Sequence, residues 1–523
     1  MIISLSVLVI TIIVSGTYAL YKAQLSKNIG VNTTTHGLAY YINYVKGTDI
    51  TAATLNPSTS YEGGASSNIE FWKKDDSYDI YGKIELTVNT IGTNLKNSPA
   101  IKYAVVNNGN VLKQGSLKGT TSGSKVTILK NLYLEQTKQI YTVYVWLDKS
   151  EELGDISNES LSISVDCTAS LQKEPTAAET IISLYTNASK TTAKNNSITY
   201  NYANIYDTDS DDNTSGGLMN DRLGGTTTDL DGGNIRYYGA SPNNYIYFNC
   251  SDYSNQTSST CETWRIIGVF NGKLKLIRNE SIGTYSWDNK NTSTGAEDNY
   301  GKNDWTTARL MKLLNPSNYY INDNNDKDSE GNYLGYSLYY NSASGKCYSG
   351  QNNATVDCDF TSTGIKNDIT RNMIAETTYN LGGGDTNQIY PNEIYGYERG
   401  TTVYTDRPPT WPGKIALAYP SDYGYAADLN QCKDKKLYYY DNSTCTSNNW
   451  MKEILGTSSW GWLLTPTSSD SRNAWYVRSY GHADVNYGAY YAYGAVPVLY
   501  LSSELGIEAG GDGSSSNPYK LSA

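Results

Sequence analysis

Phenylalanine is nearly missing from this chain: 4 residues among 523, against 49 Tyr and 10 Trp. Aromatic packing without Phe leaves a hydroxyl or indole N–H on almost every ring, and each such group needs a partner or water. So many Tyr cannot all be core, and many must sit at surfaces or half-buried in sheets. Histidine is scarcer still. His36 and His482 are too few and too far apart for histidine-rich metal sites or for most Ser–His and Cys–His chemistry. Positive charge is also short: 41 Lys+Arg against 52 Asp+Glu leave a net charge of −11. Such a surface repels phosphate backbones, so no nucleic-acid partner is expected. None of the 7 Cys sits in a CxxC spacing and no His lies near them, which removes the common zinc patterns. No metal and no cofactor is expected.

What is present points outside the cell. Residues 1–21 carry no charged side chain, and Ile2–Val14 is mostly β-branched or Leu. At 1.5 Å per residue such a stretch reaches about 31 Å, one hydrocarbon core. A transmembrane or signal helix is expected over residues 1–25, with the membrane as a partner if it is retained. Thr17 and Ala19 equally admit cleavage after Ala19, although no Lys or Arg precedes the apolar run. Six Cys form three close couples, Cys250/Cys261, Cys347/Cys358 and Cys432/Cys445. Local disulfides are expected of them, in keeping with export. Cys167 is left over, either a free thiol or a sign that one couple is mispaired.

The chain divides by pattern. Residues 33–168 read as a β-sandwich, with two-residue alternation at 83–88, 101–106 and 140–147 and turn signals at Asn107-Asn-Gly109 and Thr121-Ser-Gly123. Residues 169–233 read as a short helix at 176–185 followed by a polar linker. The linker's acidic run Asp207–Asp212 lacks the Gly and terminal Glu of a calcium loop. Residues 234–510 read as an α+β domain, and 511–523 as a Gly/Ser-rich tail. Its strands are expected at 245–248, 264–270, 273–277, 460–466, 474–477 and 496–501. Asn271-Gly272 should be a hairpin turn, and helices should run over 305–314 (capped by Asp304) and 366–379. Trp305, Trp411, Trp462 and Trp475 are expected as core anchors.

The stretches Asn234-Ile-Arg-Tyr-Tyr-Gly-Ala-Ser-Pro-Asn-Asn-Tyr245, Trp264-Arg-Ile-Ile-Gly-Val-Phe270, Trp411-Pro-Gly-Lys-Ile-Ala416, Tyr419–Tyr425 and Trp462-Leu-Leu-Thr-Pro466 resemble a domain of unknown function. That domain recurs in surface proteins of gut Firmicutes and their relatives. The resemblance covers 234–523 and implies no established activity. Its organisation implies a C-type-lectin-like fold related to the formylglycine-generating-enzyme group. Tyr141-Thr-Val-Tyr-Val-Trp-Leu-Asp148 resembles the β-sandwich of camelysin-type matrix proteins. Where the family carries a Gly-Val-Arg-Pro-Val run, this chain reads Gly494-Ala-Val-Pro-Val498, so an Arg is missing.

The whole is then a β-rich α+β chain: an N-terminal transmembrane or signal helix, a β-sandwich, and a C-type-lectin-like α+β domain. Function is expected in Arg478–Tyr493. Five of its 16 residues are Tyr, mixed with Ala and Gly, the composition that gives antibody paratopes rigid contact area beside small neighbours. The candidate ligand-binding residues are Arg478, Ser479, Tyr480, His482, Asp484, Asn486, Tyr487, Tyr490, Tyr491 and Tyr493. The same mixture resembles the variable region of diversity-generating-retroelement proteins, which also use C-type-lectin-like folds. The plainer alternative is a twisted strand–loop–strand with Tyr ladders. A carboxylate pair among Glu398, Asp422 and Asp470 would suit glycoside hydrolysis, but such residues more often make internal ion pairs or caps. The expectation is an extracellular, cell-surface, non-enzymatic protein binding a protein or glycan. A structural matrix or fibre component is the alternative, and a carbohydrate-active enzyme the second.

Overall fold

The fold is that of a computed structural model, which describes residues 23–25 and 41–522 except 152, 157, 206–214, 224–232, 254, 290–300 and 457–459.

Alternation with period two builds the first unit. Ala65–Lys73 buries residues 65, 67, 69, 71 and 73, and Tyr81–Ile91 buries 82, 84, 86 and 88. Two sheets result. One runs Ala23–Leu25, Leu161–Ser170, Tyr81–Ile91, Lys125–Tyr133, with Ile50–Thr51 also on Leu161–Ser170. The other runs Ile42–Val45, Ala65–Lys73, Ile140–Asp148, Ile101–Asn107, Asn110–Ser116, with Pro57–Ser58 added in parallel. Their inner faces interlock through Ile69, Phe71, Ile84, Leu86, Val143 and Ile163, all fully buried. Cys167 lies in this core as a free thiol, and burial pushes its pKa well up.

The helix expected over 1–25 is corrected. Ala23–Leu25 is a strand antiparallel to residues 167–169, and among the described residues no helix is long and apolar enough to cross a membrane. The backbone of 23–25 is committed to the sandwich edge, so a helix cannot run through it. Residues 1–22 of that expectation lie outside the described residues. The membrane anchor and the membrane as a partner lose their support. A mostly β-strand α+β fold remains, with no more specific fold name.

The second unit opens on helix Ala177–Asn187. A capping box starts it: Thr176 N donates to Glu179 Oε2 at 2.8 Å, and Glu179 N donates to Thr176 Oγ1 at 3.1 Å. Ala178, Ile181 and Tyr185 are its buried face, and the helix packs on strands Glu262–Phe270 and Lys273–Arg278. Those strands belong to a nine-stranded sheet running Ser189–Asn195, Ile198–Asn204, Ser215–Asn220, Ile235–Ser241, Glu262–Phe270, Lys273–Arg278, Val498–Tyr500, Ile415–Ala416, with Tyr245–Phe248 beside Glu262–Phe270. Asn271 and Gly272 turn its hairpin at positive φ, 49° and 73°.

Most of 188–220, polar enough to read as linker, is therefore sheet. Ser189–Asn195 is an edge strand whose side chains face mostly solvent, the composition edges favour. Tyr200, Tyr202, Leu218 and Met219 supply the buried side. The run Asp207–Asp212 lies outside the described residues. The tail also folds back, with Leu521–Ser522 pairing Gly506–Ile507.

The two expected helices are shorter than their patterns. One is Arg309–Leu314, while Asp304 instead closes a turn by accepting from Thr306 N at 3.1 Å. The other is Asp368–Met373, followed by strand Thr377–Asn380, because Tyr379 enters the core 5.7 Å from Trp411. Trp305, Trp411, Trp462 and Trp475 are all buried. The three cysteine couples are disulfide-bonded, Cys250–Cys261, Cys347–Cys358 and Cys432–Cys445.

Thr176→Ala removes one half of the capping box and is expected to cost about 1 kcal/mol in denaturant unfolding, with Thr176→Ser close to neutral.

Candidate functional site

A five-stranded sheet carries the candidate segment, in the order Thr284–Ser286, Ala492–Gly494, Gly461–Pro466, Asn473–Val477, Ala483–Gly488. Strand Asn473–Val477 ends at Arg478, and residues 478–482 reverse the chain. Arg478 N donates to His482 O, and Gly481 N to Arg478 O, both at 2.8 Å. Gly481 has φ 98°, and a Cβ there would lie 2.7 Å from Thr446 Cγ2 and 2.9 Å from Tyr440 O. Only glycine suits that position. From beneath, Tyr423 Oη donates to Gly481 O at 2.6 Å and holds the turn to helix Pro420–Tyr425.

Asp484 is the electrostatic centre. It is 1% exposed and accepts from Arg478 Nη2 at 2.6 Å, Asn387 Nδ2 at 2.8 Å, Val485 N at 2.8 Å and Asn486 Nδ2 at 2.9 Å. Burial pushes its carboxyl up, but the Val485 N–H and the Arg478 guanidinium outweigh that and hold it below the ordinary value. His482 approaches it at 3.6 Å. Desolvation lowers the His482 pKa despite Asp484, so at neutral pH the imidazole is uncharged and this approach is no ion pair.

Rings surround that centre. Arg478 Cζ lies 4.7 Å over Trp460, and its Nη1 donates to Tyr480 Oη at 3.0 Å. Trp460 stacks on Tyr476 at 5.3 Å and 10°, and meets Tyr487 at 5.4 Å and Tyr493 at 5.2 Å. Tyr491 stacks on both Tyr490 at 4.3 Å and Tyr493 at 5.6 Å. On the other side, His482 meets Tyr438 edge-on at 4.1 Å, and Tyr438 meets Tyr439 at 5.0 Å.

The ten sequence-selected residues divide by depth. Ser479, Tyr480 and Asn486 are exposed; Arg478, Tyr487 and Tyr491 are half-buried; His482, Asp484, Tyr490 and Tyr493 are buried. The inner rings and Asp484 form a floor and the outer residues a rim. The reading of 478–493 alone missed Tyr438, Tyr439, Trp460, Tyr476 and Asn387. The run Tyr438-Tyr439-Tyr440 was a visible signal, with Tyr438 37% and Tyr439 46% exposed, beside Tyr480 at 46%.

The carboxylates considered for hydrolysis are engaged elsewhere. Glu398 is fully buried and accepts from Ser421 N and Arg399 Nη1, each at 2.8 Å. Asp422 is 1% exposed and accepts from Arg236 Nη1 at 2.9 Å, Tyr419 N at 2.9 Å and Lys275 Nζ. Asp470 closes its own turn through Arg472 N at 2.8 Å and Asn473 N at 2.7 Å. Among the described residues no group of three or more metal-ligating side chains comes together.

No family model and no curated protein matches the chain. Among solved structures, one similarity is to "Crystal structure of botulinum neurotoxin serotype D binding domain", at 12% identity over 50% of this chain and 85% of that one, with a TM-score of 0.14. At that score the superposition implies neither a shared fold nor a shared function.

Asp484→Ala strips an acceptor from four donors and leaves Arg478 over the rings without its counter-ion. The expected loss is about 2–3 kcal/mol, below the figure for fully buried pairs because Arg478 keeps some exposure. Tyr480→Ala should stay within about 0.5 kcal/mol. Urea unfolding of the full chain checks both. The folded carboxyl titrates below its ordinary 3.8, so the Asp484 contribution should be complete at neutral pH and lost only as the pH falls through that lower value.

Proposed function

We propose that this chain is an extracellular recognition protein that engages a protein or glycan through the aromatic rim around Arg478. The observation that carries this reading is the pairing of rim and floor. Tyr438, Tyr439 and Tyr480 are exposed by 37–46%, while His482, Tyr490 and Tyr493 are buried against neighbouring rings and the buried Asp484 is held by hydrogen bonds. A rigid floor keeps the outer rings from collapsing onto the protein, so their faces and hydroxyls are presented at low entropic cost. Such rings serve equally for stacking on a sugar face and for anchoring a protein contact. Ser479, Asn486, Tyr487 and Tyr491 supply polar and half-buried contacts around them. The three disulfides support placement in an oxidising compartment.

Glycan arrays and pull-downs from candidate host or bacterial surfaces, both with the full chain, should yield a ligand. Its affinity should fall at least about tenfold in the double variant Tyr439→Ala/Tyr480→Ala, with Tm unchanged. Tyr493→Ala should act on Tm first. Equal affinity of native and double-variant chains would refute this placement, and no ligand in either screen would refute the reading.

A further inference from the structure

A second site lies away from the rim, where the sandwich meets the second unit. Strands Asn110–Ser116 and Lys125–Tyr133 face helix Asp368–Met373 and residues 502–505 across a cavity of about 240 Å³. Val126, Ile369, Met373 and Leu505 give it an apolar wall. Two lysines, Lys113 and Lys130, line the same cavity from edge strands of the two opposed sandwich sheets.

Lys130 is the informative one. Its Nζ is buried and has no hydrogen-bond partner among the described residues. A Cβ on Gly506 would lie 3.2 Å from that Nζ, so the glycine leaves the ammonium its room. Desolvation pushes Lys130 down to about 8, against the pull of Glu174 and Glu504 and with repulsion from Lys113 and Lys83. Lys113 is also lowered by burial. Glu504 lines the cavity and Glu174 acts on Lys130 as well, yet neither carboxylate hydrogen-bonds the Lys130 ammonium. A buried ammonium without an acceptor is costly, and an incoming anion relieves that cost.

We propose that this cavity binds a small organic carboxylate, its anionic end on Lys130 and Lys113 and its apolar body against Ile369, Met373 and Leu505. The ligand touches both units and so couples them. Its size is limited: the cavity is smaller than the roughly 300–1,000 Å³ of drug-sized sites, which suits a molecule of about ten non-hydrogen atoms. This site is independent of the recognition surface, and neither reading depends on the other.

Calorimetric titration of the full chain with phenylacetate, phenylacetamide and inorganic phosphate tests it. Phenylacetate should bind with Kd near 1 mM, and the neutral amide and phosphate at least about tenfold more weakly. Lys130→Met should weaken phenylacetate about tenfold or more while the ligand-free Tm holds or rises, since an unpartnered charge has been removed. Ile369→Trp should block binding by filling the apolar end, and it serves if the first variant does not fold. Equal affinity for acid and amide, equal affinity for phosphate, no binding up to about 20 mM, or unchanged affinity in a folded variant would each overturn the proposal.

Discussion

The carboxylate of Asp422 ties the second unit together. It is buried between Arg236 of strand Ile235–Ser241 and Lys275 of strand Lys273–Arg278, and it accepts the Tyr419 N–H at the start of helix Pro420–Tyr425. Arg236 also donates to Asp221 at 2.6 Å. Two cations outweigh the desolvation that would push the Asp422 carboxyl up, so it stays ionised. Desolvation pulls Lys275 down, against the attraction and hydrogen bond of Asp422. A pair of this depth contributes little net stability over an apolar replacement, but losing one partner is severe. Its effect here is positional: it fixes one short helix against the large sheet.

That position reaches the surface. The next residue, Tyr423, bonds Gly481 in the reversing turn, and Tyr440 Oη donates to Gly424 O at 3.1 Å. Ahead of the helix, Ala418 O accepts from Leu464 N at 2.8 Å in the smaller sheet. The helix held by Asp422 is thus bonded, through Tyr423 and Gly481, to the turn that carries Tyr480. The shortage of Phe becomes intelligible in these terms. A Tyr in the core brings a hydroxyl that reaches a backbone carbonyl across an element boundary, as at Tyr379 to Lys414 O, 3.1 Å. Phe fills the same space and makes no such link.

Local patterns were legible in the chain and long-range ones were not. Alternation located the sandwich strands, Asn271-Gly272 located a hairpin, and the apolar spacing of Ala178, Ile181 and Tyr185 marked a short helix, because each signal is complete within a few residues. The edge strand Ser189–Asn195 hid behind its solvent-facing polar side. The short strand Ala23–Leu25 was hidden by the apolar stretch before it, since its partner is far along the chain, Leu25 pairing with Cys167. Depth within 478–493 was equally out of reach. Tyr480 and Tyr493 have the same side chain, and what separates them is Trp460 and Trp462 packed at 5.2 and 4.6 Å on Tyr493.

The division between rim and floor is the central claim, and it can be read without knowing any ligand. Residue-resolved chemical modification of tyrosines in the native full chain, followed by mass spectrometry, measures it directly. Tyr438, Tyr439 and Tyr480 should react near the rate of the unfolded chain, and Tyr476, Tyr490 and Tyr493 at least about tenfold more slowly. Modification of Tyr490 and Tyr493 as fast as Tyr480 would contradict a packed floor beneath an exposed rim.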